Sequence, residues 1–88
     1  MRFYYVYVLE SLKDGNRYIG FTTSPKERLE AHNKGLSFAT KPRRPFQPIY
    51  IEGCLNIDDA KRREHYLKTT GGRRFLAKRL REYMKSKL

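Results

Sequence analysis

Five side chains in this sequence have the types and spacing to handle a phosphate ester. Tyr7 and Tyr18 lie in two short runs of strand composition, within "YYVYVLESLKDGNRYIG", on either side of a turn. Cross-strand neighbours in a hairpin lie about 5 Å apart, so two phenols on one face can share a phosphate or a water. Arg28 and His32 stand four residues apart, so one helix face aims a guanidinium and an imidazole at the same spot. Glu64 shares helical spacing with Ile57, Ala60 and Leu67, which sets a carboxylate into an apolar stripe turned toward the sheet. Burying that charge is costly unless a cation or several donors meet it. A lone carboxylate suits a single hard divalent ion, Mg2+ or Mn2+, with waters and phosphate oxygens completing the shell.

Each residue taken alone also has an ordinary explanation. Strand tyrosines are commonly core residues with satisfied hydroxyls, and a helical Arg and His are commonly solvated. Glu64 has Arg63, Lys68 and Arg28 as candidate ion-pair partners. A phenol with a pKa near ~10 is a poor base at neutral pH unless cations or a metal favour its phenolate. It is the combination of these spacings that carries specificity.

The elements that must position these groups follow from local signals. Phe3 to Leu9 is almost entirely β-branched, aromatic or Leu, which predicts a strand covered on both faces and central in its sheet. Lys13-Asp14-Gly15-Asn16 is a turn cluster, and "RYIGF" resumes strand composition, so the two runs form a β-hairpin. Ser24, Pro25 and Glu27 predict a helix start with a capping box, ending near Gly35. Residues 36–48, "LSFATKPRRPFQP", hold three of the four prolines and three basic side chains and read as a loop facing a polyanion. "IYIEGCL" supplies a third strand, and Asn56 caps a helix over 57–68. "TTGG" at 69–72 reads as a helix end and linker, or as a phosphate contact at the next helix start. A last helix, "RRFLAKRLREYMKSK", aligns Phe75, Leu76, Leu80, Tyr83 and Met84. The order β-β-α-β-α-α predicts an α+β fold, a three-stranded sheet flanked by helices.

The chain has 88 residues, 20 of them Lys or Arg against 9 acidic, a formal charge of +11. That length fits one domain, 1–88, and that charge attracts polyanions, nucleic acid first. Lys41, Arg43 and Arg44 in the loop, with Arg73 and Arg74 after "TTGG", are the expected backbone contacts. The charge is spread over loops and two helices instead of one amphipathic face, which argues against a membrane surface. Cys54 is the single cysteine, so no internal disulfide forms and the chain reads as cytoplasmic. The apolar run ending at Leu9 is too short for a signal peptide or a span. No CxxC, paired-His or Gly-rich nucleotide motif occurs, against zinc and nucleotide hydrolysis.

"YVY" at 5–7, "YIG" at 18–20 and Arg28 ten residues after Tyr18 resemble the GIY-YIG nuclease superfamily, in particular its short stand-alone members. The resemblance runs from the first strand through the second helix. It implies a three-stranded antiparallel sheet flanked by helices. It also implies a divalent-metal-dependent endonuclease whose site holds Tyr7 and Tyr18, with Arg28 on the scissile phosphate. His32 falls where members carry His or Tyr, and Glu64 matches the metal-binding glutamate. The first motif departs from Gly-Ile-Tyr but keeps its final tyrosine. Several family nucleases carry Lys directly after the second motif where this chain has Phe21, leaving Lys41 or Arg43 as substitutes for that cation. The late Asn common in the family has no clear counterpart.

The expected function is hydrolysis of phosphodiester bonds in DNA, structure-directed or non-specific, in the manner of repair or recombination enzymes. The rival readings are a nucleic-acid-binding module of the same fold with little turnover, and a protein-interaction domain whose charge serves solubility.

Overall fold

In the computed structural model, which describes residues 1–87, the three strands are β1 (Tyr4–Ser11), β2 (Arg17–Thr22) and β3 (Phe46–Cys54). They form one antiparallel sheet in the order β2-β1-β3. The expected central strand is β1. Its Val6 and Val8 are buried against Ala60, Leu67 and Leu76 on one face, and its Tyr7 and Leu9 pack with Phe46, Tyr18 and Leu29 on the other. A strand with both faces covered has no polar face to alternate against, which is why its sequence reads as continuous apolar and aromatic residues.

The helices are α1 (Pro25–Asn33), α2 (Ile57–Leu67), α3 (Thr70–Arg79) and α4 (Arg81–Lys85). The face holding Tyr7 takes α1, whose Leu29 joins that cluster, while α2 and α3 cover the Val6 and Val8 face. Asn56 caps α2 as expected, its side chain accepting from Asp58 N at 2.8 Å.

Four local expectations are corrected. Ser24 makes no side-chain cap on α1; its own N–H is instead held by Thr22 Oγ1 at 3.0 Å, so the capping box does not form. The third strand begins at Phe46, three residues earlier than expected. It accommodates Pro48 because β3 is an edge strand with a register slip opposite Val8 and Leu9. "TTGG" is not a linker but the start of α3: Thr69 caps it, accepting from Gly72 N at 3.2 Å. Gly72 there lies against the Tyr66 carbonyl and Leu67 Cα, where any β-carbon would clash with backbone. The last helix breaks at Leu80, whose φ of −108° and ψ of 26° leave the helical region. Phe75, Leu76 and Leu80 still pack on the core, but Tyr83 turns to Glu10 and Met84 is left exposed.

The break in the helix serves a buried charge. Glu10 is 3% exposed, and its Oε1 accepts from Tyr83 Oη at 2.5 Å and Lys87 Nζ at 2.6 Å. Gln47 Nε2 in turn donates to Tyr83 Oη at 3.0 Å. Among the described residues no helix is long and apolar enough to cross a membrane.

Candidate active site

The β1–β2 register decides how the two tyrosines meet. Tyr7 lies opposite Gly20, and Tyr18 lies opposite Leu9, so the phenols are diagonal neighbours on one face and not direct partners. Their ring centroids are 6.4 Å apart. The Tyr7 ring crosses over Gly20, where a β-carbon would run into its hydroxyl and Cζ. The glycine of "YIG" is therefore the residue that lets the first phenol lie down across the neighbouring strand.

Arg28 and His32, one turn apart on α1, both reach the Tyr7 hydroxyl. His32 Nε2 is 3.0 Å from it and Arg28 Nε donates to it at 3.4 Å. His32 is fully buried, with its ring edge-on to Tyr18 at 5.0 Å and to Tyr7 at 5.9 Å. Its Nδ1 is 2.8 Å from Thr40 Oγ1, and Thr40 is itself fully buried. Arginine only donates, so the Tyr7 oxygen accepts from Arg28 and its own proton points to Nε2. His32 then carries its proton on Nδ1 and gives it to Thr40, leaving Nε2 as the open acceptor. Burial, and then the Arg28 charge, lower the His32 pKa from its ordinary value, which keeps the imidazole neutral.

Burial pushes the Tyr7 phenol above its ordinary 10.0; hydrogen bonding and charge from Arg28 oppose this, while Tyr18 and Glu64 add to it. Tyr7 therefore holds its proton at neutral pH. Glu64 on α2 is mostly covered, its side chain 20% exposed, and its carboxylate meets Lys68 Nζ at 3.4 Å. Arg63, a candidate partner, is bound to Glu52 at 2.5 Å and stacked on Phe75. Ile57, expected on the same buried stripe, is exposed at the helix start. Glu64 makes no hydrogen bond to the hairpin among the described residues; it acts on Tyr7 through space.

No group of three or more His, Cys, Asp or Glu side chains gathers among the described residues. Glu64 fits a site of one carboxylate. Among the described residues its one ionic partner is the half-exposed Lys68, which leaves its oxygens open to one hard ion whose remaining positions go to water and phosphate.

Of the basic residues expected at nucleic acid, Arg43 is committed elsewhere. Its Nε pairs with Asp14 at 3.2 Å, its Nη2 donates to the Arg17 carbonyl, and it stacks on Phe46. Among the described residues the hydrogen bonds at the Tyr7 hydroxyl come from His32 and Arg28 and not from Lys41 or Arg43; Phe21 itself stacks on Tyr4 at the opposite face. Lys41, Arg44, Arg73 and Arg74 are exposed. Arg73 joins Arg17, Lys68 and the buried Glu10 in lining an open cleft of about 800 Å³ that runs along β2. Sequence reasoning passed over Gly20, Thr40 and Arg17. Only Gly20 left a signal, the glycine inside "YIG".

Residues 3–80 match the family model described as the GIY-YIG catalytic domain. The chain belongs to the GIY-YIG family. That match runs beyond the second helix to the end of α3. Domains of this family are nuclease domains, generally endonucleases that need a divalent metal, and their substrate is nucleic acid. A UPF0213 protein of Streptococcus pneumoniae is 42% identical over 65 residues, covering 73% of this chain and 65% of that protein. One from Staphylococcus haemolyticus is 40% identical over 68 residues, 75% of this chain and 80% of that protein. The chain thus spans about two thirds to four fifths of these relatives' lengths, and their names state no activity. The solution structure of the UPF0213 protein BH0048 from Bacillus halodurans is similar with a TM-score of 0.54 at 30% identity, covering 86% of this chain and 83% of that one. The fold expected from the sequence, a three-stranded antiparallel sheet with helices, agrees with that neighbour.

Proposed function

We propose that this GIY-YIG domain hydrolyses phosphodiester bonds in DNA, as a structure-directed or non-specific endonuclease acting in repair or recombination. The observation that carries the reading is the Tyr7 hydroxyl held between Arg28 Nε and His32 Nε2. A phenol so placed accepts a proton from water on the side open to substrate while its own proton passes to His32 Nε2. Arg28 takes the charge of the scissile phosphate. Tyr18, diagonal to Tyr7 on the same face, orients the attacking water. Hydroxide adds to phosphorus, the 3′ oxygen leaves and takes a proton from solvent, and His32 returns its proton through Tyr7. Glu64 is the residue that would hold one Mg2+ or Mn2+ ion, whose chemistry is to neutralise charge at the leaving oxygen. Arg17, Lys68 and Arg73 line the path of the backbone along the cleft.

The test is nicking of plasmid, flapped and branched DNA with and without Mn2+. Tyr7→Phe should lower the rate by about 10²–10⁴-fold, the range for loss of a general base. Glu64→Gln should remove the response to the ion. Full activity in either variant would refute the mechanism.

A second reading, a DNA-binding module with little turnover, is favoured by two features. Tyr7 is pushed up by burial, and Phe21 stands where several relatives in the superfamily carry a lysine. Salt-sensitive DNA affinity without nicking by any divalent ion would select it.

A further inference from the structure

The loop between α1 and β3 leaves Phe38 95% exposed and Leu36 74% exposed. A lone exposed aromatic is unremarkable, but Phe38 walls a recess of about 630 Å³ together with Ala39, Pro42, Lys13, Lys41 and Arg44. The recess thus combines one aromatic face, two small apolar residues and three cations, and no carboxylate. Among the described residues none of these cations has an ion-pair partner.

The recess is held in shape. Lys13 Nζ donates to the Pro42 carbonyl at 3.1 Å and Ser11 Oγ to the Arg43 carbonyl at 2.5 Å. Lys41 N closes onto the Ser37 carbonyl at 2.9 Å. Two residues after Phe38, Thr40 is buried against His32. The ring of Phe38 is therefore carried by the same loop that fixes the imidazole beside Tyr7.

We propose that this recess binds an unpaired nucleobase of the DNA strand, stacked on Phe38, with its flanking phosphates on Lys13, Lys41 and Arg44. The inference rests on the nuclease reading for its substrate and deepens it. Every base has a π-face, so an aromatic wall ringed by cations recognises single strands without regard to sequence. A base inside a duplex cannot offer that face. The consequence is a preference for single-stranded or junction DNA over blunt duplex.

The test is equilibrium binding without divalent ions, using labelled oligothymidylate and a blunt hairpin duplex as probes. Phe38→Ala should weaken oligothymidylate binding by about 5- to 150-fold, the equivalent of about 1–3 kcal/mol for one stacked base, and leave duplex affinity unchanged. Phe38→Tyr should restore it. Equal losses on both probes, no loss on either, or equal competition by oligo-glutamate would overturn the proposal, the last pointing to an acidic protein partner. Because Phe38 is solvent-exposed, the variant should melt with the parent. Cleavage is not read in this assay, so failure of the nicking test above leaves its outcome intact, and the two failures are separable.

Discussion

Gly20→Ala tests the geometry on which the site depends. A β-carbon at Gly20 runs into Tyr7 Oη and Cζ and stands 2.9 Å from Cε2. Carbon contacts settle at about 3.5–4.0 Å, so the ring must retreat by about 0.6 Å or more on Cε2 alone. Tyr7 has little room to do so. It is 4% exposed and its hydroxyl is held by His32 and Arg28. Overpacking of this kind costs about 1–3 kcal/mol. In a domain of this size that lowers Tm by on the order of 4–24 °C. Moving the hydroxyl also breaks its alignment with His32 Nε2, so nicking should fall as far as in Tyr7→Phe. Thermal melts and plasmid nicking read the two effects. A double-mutant cycle with Tyr7→Leu, which removes the hydroxyl from the clash, should show coupling because the two sites touch. If Gly20→Ala melts with the parent and nicks normally, the Tyr7 ring does not lie across β2 and the proposed proton path is wrong.

Four further outcomes follow from the same structure. Burial raises the Glu10 pKa, but hydrogen bonds from Lys87 and Tyr83 outweigh it and hold the carboxyl below its ordinary 4.5. Its contribution is present above that value and lost as pH falls through the lower folded one; Glu10→Gln should lose on the order of 1–3 kcal/mol near neutrality and show a shallower acid limb in melts against pH. His32, with its pKa lowered by burial, should appear in ¹H–¹⁵N spectra as the neutral Nδ1–H form just below pH 6.5, an ordinary histidine midpoint. Thr40→Val, which leaves that buried Nδ1–H unpaired, should destabilise the fold by about 1–3 kcal/mol. Arg73→Ala should reduce the slope of log affinity for DNA against log salt by about one, uniformly across sequences; an unchanged slope would remove the cleft from the path of the backbone.

Much of the architecture was legible because it is written in local signals. The two-sided apolar run of Phe3 to Leu9 marked the central strand, the Lys13-Asp14-Gly15-Asn16 cluster marked the hairpin, and Asn56 marked the start of α2. The i, i+4 spacing of Arg28 and His32 required only that they share a helix. Where local signals compete with packing they misled. Ser24 has the cap sequence but does not cap, and "TTGG" has the composition of a linker but opens α3 because Gly72 lets that helix press on Tyr66 and Leu67.

What the residues determined alone was the order of the three strands and of the helices between them and after them, short of the break at Leu80, and the presence on them of two phenols, a guanidinium, an imidazole and a carboxylate. Tertiary structure decided who meets whom. The strand pairing set Tyr7 over Gly20 and not beside Tyr18, the loop returned Thr40 to His32, and Glu10 found partners 73 and 77 residues away in Tyr83 and Lys87. Local propensities reach across a turn of chain; hydrogen bonds to a buried polar group are chosen by whatever the finished packing brings within reach, since leaving that group unpaired is what the fold cannot tolerate.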